Sequence, residues 1–299
     1  MLSYFLKKVL RRHDEKNNLK LKALMRETML ESLSLTSSDI GIGNDKEHSI
    51  IVSLTSFEKR IDNLYICIES LFQQSLKADK IILWLSKKNF LEKALPENLL
   101  RLQSRGLSIK WVDDDIGPYK KIIYSLRAFP ESIIVTVDDD VMYPADTVDL
   151  LYQSYLKNPQ FIHCNRAFLM KKRGRVFSKY SSWMLANNNL KPRYDVFPTG
   201  IAGVLYPPGS LDKEVNNQKI FMDLCPNADD VWLKAMSLKA GVKVIKVNDE
   251  RPWKGRFLIV SDTQSNSLKK INWKKIGGND EKIKAVFDYY QLYDFPEKN

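Results

Sequence analysis

The sequence predicts an α/β protein built on a doubly wound, mostly parallel sheet, with a helical extension at its N-terminus. Three observations carry that reading. Buried-strand and helix patterns alternate four times from Ser49 onward. Each apolar run is strand length rather than membrane length, and none approaches the ~18 residues of a spanning helix. The chain has 299 residues with 44% hydrophobic content, enough to bury a large core.

The elements follow in order. Residues 1–48 read as a helical, basic extension that ends in a polar link, "SSDIGIGNDKEHS". "SIIVSLTSF" is the first strand, and "RIDNLYICIESLFQQS" the helix after it. "KIILWLS" is the second strand, and "LPENLLRLQSRG" a helix closed by Gly106. "LSIKWVDDD" is the third strand, followed by the helix "GPYKKIIYSLRAFP", which Pro130 stops. "SIIVTVDDD" is the fourth strand, and "PADTVDLLYQSYLKNP" the helix bounded by Pro144 and Pro159. The rest of the chain divides into residues 49–145, which hold the alternating strands and helices, and residues 146–299. The tail "SNSLKKINWKKIGGNDEKIKAVFDYYQLYDF" reads as a loop and a helix that covers a cleft or caps the sheet.

Composition narrows the partners. The net charge is +11, but residues 1–26 hold eight Lys and Arg against Asp14 and Glu15, so +6 of it is N-terminal. Leu2, Phe5, Leu6 and Val9 recur there at helical spacing. Such a helix suits an anionic membrane surface, or a docking face on the domain or a second subunit. Cys67, Cys164 and Cys225 form no CxxC, and an odd count is a poor disulfide framework, so a reducing cytoplasm is expected. The start, apolar then basic, does not read as an export signal. His13, His48 and His163 are scattered, so any metal should be held by oxygen. No nucleic-acid partner is expected, because the basic excess is a short segment and the candidate cleft is acidic.

In a doubly wound sheet the ligand lies outside the carboxyl ends of the strands. Ser53, Thr55, Ser56 and Arg60 follow the first strand, Asp113–Asp115 the third, and Asp138–Asp140 the fourth. If the fourth strand persists, Asp138 and Asp140 share a side, with Cα atoms ~6.5 Å apart, and Asp139 faces away. Adjacent carboxylates repel one another. A hard divalent ion, Mn²⁺ or Mg²⁺, would offset that repulsion and carry a diphosphate. The bland alternative is an acidic helix cap. Gly117 and Pro118 open a helix whose amides suit an anion, and Lys120 or Lys121 could reach a diphosphate. Lys120 is put forward, with Asp114 on the nucleotide side and Arg166 as a further donor contact.

These segments resemble the GT-A-fold glycosyltransferases, family 2-like members of bacterial polysaccharide assembly above all. "IIVTVDDDVMYP" looks like their DxD segment, and "IIVSLTSFEKRIDNLYICIESLFQQS" like their first strand and helix. "FPTGIAGVLYPPGSL" is similar to the acceptor-side glycine segment, and "NADDVWLKAM" to the acidic helix start written EDxxL. The likeness runs from about Ser49 to Val247. It implies a GT-A sheet and a nucleotide-sugar donor contacted by Ser53, Thr55, Ser56, Arg60, Asp114, Lys120, Asp138 and Asp139. It implies a metal at Asp138 and Asp140, and Gly200, Gly203 and Trp232 beside the acceptor. Asp230, with Asp229 beside it, would be the general base of an inverting transfer to a glycan or lipid-linked glycan. Here Asp229 stands where that family has glutamate. The aromatics Trp183, Tyr194, Phe197 and Tyr206 fit a sugar site or a core equally well. A nucleotidyl- or phosphotransferase using the same acids is the alternative, although no GxxxxGK[ST] loop is present.

Overall fold

Continuous apolar runs in the first, second and fourth strands bury both faces of one sheet, helices cover both, and the third strand, at the sheet edge, stays partly exposed. A computed structural model of the chain describes residues 2–43, 45–90, 94–186, 188, 191–253, 255–261, 263 and 278–295; the side chains of residues 2–8, the expected apolar stripe of Leu2, Phe5 and Leu6 included, lie outside the described residues. So does most of the predicted C-terminal loop, residues 264–277.

The first half contains α1 (Leu2–Thr36), β1 (Ile50–Thr55), α2 (Leu64–Phe72), β2 (Lys80–Ser86), α3 (Glu97–Arg101), β3 (Leu107–Val112), α4 (Lys120–Ala128), β4 (Ile133–Thr136), β5 (Val141–Met142) and α5 (Thr147–Lys157). The second half adds β6 (Ile162–Cys164), β7 (Ala167–Leu169), β8 (Lys172–Arg173), β9 (Val176–Phe177), β10 (Met184–Leu185), β11 (Val196–Pro198), β12 (Val204–Tyr206), α6 (Gln218–Leu224), α7 (Asp229–Lys239), β13 (Val244–Lys246), β14 (Leu258–Ile259) and α8 (Asn279–Tyr290).

Seven strands form the main sheet in the order β13-β6-β12-β4-β1-β2-β3. β1 pairs in parallel with β2 and β4, and β2 with β3; β12 runs antiparallel between β4 and β6. The chain moves outward from β1 through β3, then crosses back to lay β4 on the other side of β1. That reversal makes a topological switch point between the carboxyl ends of β1 and β4. A smaller antiparallel sheet, β10-β7-β11, stands beside it.

Strand parity divides the core. Ile50, Val52 and Leu54 point to the face covered by α2, α3 and α5. Ile51 and Ile134 point to the other, against Ile122 and Ile123 of α4, Trp232 of α7 and Phe287 of α8. All three cysteines are buried and free.

The predicted extension is one helix of 35 residues, and its C-terminal third docks on the domain. Leu30 is buried and Glu31 accepts from Tyr65 Oη at 3.1 Å. The link after it is pinned by backbone bonds from Gly41 to Arg105 and from Gly43 to Ala78. A Cβ on Gly41 would stand 2.0 Å from the Phe72 ring, so only glycine fits. Arg105 also donates to the Asp39 carbonyl and forms a buried pair with Glu69 at 2.5 Å.

Among the described residues, one buried lysine makes no hydrogen bond. Lys234 of α7 is 1% exposed, and its Nζ makes no hydrogen bond. Burial lowers its pKa from 10.5 to about 7. Between those values the unfolded chain binds a proton that the folded chain does not, so stability rises with pH across that window. Lys234→Met is therefore expected to stabilise the protein by roughly 3–5 kcal/mol at pH 7 and by little near pH 10.5. Melting curves of both proteins at the two pH values check this; an equal difference at both would rule out the uncompensated charge.

Candidate active site

The switch point collects acids from two halves of the chain. β4 stops at Thr136, so the three following aspartates leave the strand rather than continue it. The Asp138 amide donates to Tyr143 Oη at 2.8 Å, which turns the loop. The strand-parity expectation is thereby corrected. Asp138 turns toward α4 and α7, while Asp139 and Asp140 share the other side.

On that other side Ser56 Oγ donates to Asp139 Oδ2 at 2.6 Å, and Arg60 Nη1 lies 2.5 Å from Asp139 Oδ1 and 3.2 Å from Asp140 Oδ2. Ser56 and Arg60 follow β1 directly, so the parallel pairing of β1 with β4 delivers them. Burial raises the Asp139 pKa, and Arg60 works against that rise. Burial, reinforced by Asp138 and Asp139, lifts the Asp140 carboxyl to about 7.

On the α4 side Lys121 is the central cation. Its Nζ is 2.7 Å from Asp138 Oδ1 and 3.0 Å from Asp229 Oδ2. The second contact lacks hydrogen-bond alignment, so that buried oxygen gains charge attraction alone. Burial opposes the ammonium, yet Asp138, Asp229 and Asp230 together hold its pKa well above the ordinary lysine value. Asp230 accepts from the Gly200 amide at 3.1 Å. Burial, then the Asp229 charge, push the Asp230 pKa well up.

Gly200 marks where these groups meet. A Cβ built there would lie 3.2 Å from Asp138 Oδ1, 3.3 Å from Lys121 Nζ and 3.4 Å from Asp230 Oδ1. Any side chain at 200 would invade the cluster, so glycine keeps the space open.

Several expected site residues fall elsewhere. Ser53 is fully buried, donates to the Lys121 carbonyl at 2.5 Å and accepts from Ser125; its strand position aims it under α4, not into the cleft. Lys120 is buried against Asp115, a partner five residues earlier in its own loop. Lys121, one position on, reaches the acids instead. Thr55 Oγ1 donates to the Trp84 carbonyl at 2.7 Å. Asp114 is exposed and pairs with Lys88 at 3.3 Å. Trp232 is a core residue, donating to the Val215 carbonyl at 3.0 Å and edged against Phe221. Gly203 has φ +88° at the start of β12 and faces Leu151 and Thr147; backbone shape explains it. Trp183, Phe197 and Tyr206 are also buried in the core.

The donor set suits a hard divalent cation. Asp138, Asp139, Asp140, Asp229 and Asp230 are five carboxylates, and among the described residues Arg60 and Lys121 are the cations paired with members of the group. Among the described residues no group of three or more His, Cys, Asp or Glu is arranged to hold an ion. One or two carboxylates suffice where phosphate and water complete the shell.

No family model and no curated protein matches the sequence. Solved structures similar to the chain include glucosyl-3-phosphoglycerate synthase from Mycobacterium tuberculosis, solved with Mn²⁺, UDP and phosphoglyceric acid (19% identity, 40% of this chain and 43% of that one, TM-score 0.30). A mannosyltransferase from Pyrobaculum calidifontis, solved with GDP-mannose and Mn²⁺, matches at 13% identity over 81% of this chain and 68% of its own, TM-score 0.39. A 4-diphosphocytidyl-2C-methyl-D-erythritol synthase matches at 10% identity over 74% of this chain and 96% of its own, TM-score 0.45. The chain spans less than half the length of the first of these.

Proposed function

We propose that this protein is a metal-dependent glycosyltransferase of GT-A type, moving a sugar from a nucleotide-diphosphate donor to a glycan acceptor. One observation carries the reading: carboxylates from the β4 loop and the start of α7 meet at the switch point, around Gly200 and Lys121.

Asp138 and Asp140 are the residues that would hold Mn²⁺ or Mg²⁺; they turn to opposite sides of the loop here, so Asp138 would have to leave Lys121 for the two to share one ion. When bound, the ion neutralises charge that develops on the departing diphosphate. The chain's own groups supply the rest. Arg60 fixes Asp139 and Asp140 from the β1 side, and Lys121 fixes Asp138 and Asp229 from α4. Asp230, held by the Gly200 amide, takes the proton of the acceptor hydroxyl. That oxygen forms the new bond to the anomeric carbon as the bond to phosphate breaks on the opposite face, so the transfer inverts. A base whose pKa is raised toward the working pH is the more effective one.

The acceptor is a cell-surface glycan, free or lipid-linked. α1 supports the lipid-linked case, since it carries +6 within residues 1–26 and exposes Leu21, Leu24 and Met25. A peripheral contact with anionic lipid at the inner membrane face would use that helix. No helix of the described residues is long and apolar enough to cross a membrane.

The test is thermal stability against a panel of nucleoside diphosphates and nucleotide sugars, with Mn²⁺ and with EDTA. One nucleotide is expected to raise the midpoint with metal only, with ~2.7 kcal/mol of stabilisation at a hundredfold excess over Kd. Asp140→Ala is expected to abolish the shift. No shift with any nucleotide would sink the reading. Release of pyrophosphate instead of a nucleoside diphosphate would favour a nucleotidyltransferase.

A further inference from the structure

The second half of the molecule holds a cleft of about 220 Å³ that the donor chemistry does not use. Its walls come from the turn between β6 and β7, from β10, and from the segment after β13. Four cations line it: Arg166, Lys246, Arg251 and Arg256.

Two of the four are neutralised. Arg251 lies 2.8 Å from Asp249 and 2.5 Å from Asp146, and Arg256 pairs with Asp249. The other two form no ion pair among the described residues. Lys246 donates to the Asn188 side chain. Arg166 makes one side-chain hydrogen bond, from Nη1 to Thr199 Oγ1 at 2.9 Å, and its buried Nε has no acceptor. Its guanidinium is instead held by rings, 4.7 Å from the centre of Phe168 and 5.4 Å from that of Trp253. A guanidinium fixed by aromatic faces, in no ion pair and feeling Asp230 only at a distance, is preorganised for an anion arriving from outside. Glu250, the remaining acid of the lining, is exposed.

The cleft adjoins the catalytic cluster. Thr199, which holds Arg166, precedes Gly200, whose amide holds Asp230. A single peptide link therefore joins the anchor of the guanidinium to the anchor of the base. We propose that this cleft receives an anionic group, carboxylate or phosphate, carried by the acceptor saccharide whose hydroxyl lies against Asp230. The assignment to an acceptor rests on the glycosyltransferase reading, and it makes the acceptor an acidic or phosphorylated sugar. Arg166 thus serves the acceptor rather than the donor.

Isothermal titration of the purified chain at low salt with D-glucuronate, glucose 6-phosphate and glucose tests the cleft. Saturable binding is expected for at least one of the charged sugars, and none for glucose. Which of the two binds tells carboxylate from phosphate. Arg166→Gln and, separately, Lys246→Gln should each weaken that binding tenfold or more, with circular dichroism showing both variants folded. Equal behaviour of all three sugars, or wild-type affinity in both folded variants, overturns the proposal. The nucleotide panel separates this from the parent reading. A chain that shifts with nucleotide but ignores sugar charge loses the cleft and keeps the transferase. A chain that binds charged sugars through Arg166 but no nucleotide keeps the anion site and loses the transferase.

Discussion

Lys121→Met is expected to destabilise the protein by about 3–5 kcal/mol at neutral pH, the usual loss when one partner of a buried ion pair is removed. The side chain is 6% exposed and contacts both Asp138 and Asp229. Methionine matches its length but leaves those carboxylates, and Asp230 beside them, without a counter-charge. The sign with pH follows from the lysine. Its folded pKa lies above the unfolded 10.5, so its contribution is complete below 10.5 and disappears only as pH rises through the folded value. At neutral pH the full effect is therefore in play. In acid Asp230, whose pKa burial raises, holds a proton and no longer needs the ammonium, so the loss should shrink. Urea midpoints of both proteins at pH 4.5 and pH 8 measure it. A variant as stable as wild type at pH 8 would show that the acids are balanced some other way.

The position of this lysine shows what a sequence makes legible. Four βα units, the order of the acids and the edge on which they gather are all written locally, in apolar runs, prolines and glycines. The switch point follows from them. The choice between Lys120 and Lys121 does not. The two side chains leave the helix about 100° apart, and which one reaches the acids at the switch point depends on how α4 lies across β1, β2 and β4. One local signal was present: Asp115 lies near enough in the chain to claim Lys120.

Trp232 fails for a different reason. Asp229 and Val231 through Ser237 are all buried, so α7 has no solvent stripe from which to read a facing direction. The length of β4 was hidden because the apolar run continues through Val137, whose amide still pairs with the Ser53 carbonyl although the strand has ended. The anion cleft had no signature at all. Arg166 and Lys246 are 80 positions apart in the sequence, and only the pairing of β6 with β13 brings their segments together.

Asp230→Asn is expected to cut turnover by ~10²–10⁴ while leaving nucleotide binding intact. Asparagine keeps the shape, and its carbonyl oxygen can still accept from the Gly200 amide, as Asp230 does at 3.1 Å. What it loses is the capacity to hold a proton from the acceptor. The same change should raise stability near pH 8. Burial and Asp229 lift the Asp230 pKa well above its unfolded value. The unfolded chain therefore releases this proton at lower pH than the folded one, and stability falls as pH rises from about the ordinary aspartate range. Asparagine, neutral throughout, escapes that penalty. A variant that is less active and more stable is the mark of a group kept in an unfavourable place for chemistry. Asp229→Asn makes the contrast, because it weakens the hold on Lys121 and should lower stability instead. Rates of nucleoside diphosphate release with acceptor present, read beside melting temperatures at pH 8, decide between the two roles. Turnover of Asp230→Asn within threefold of wild type would remove Asp230 as the base. Loss of its nucleotide shift would place it on the donor side.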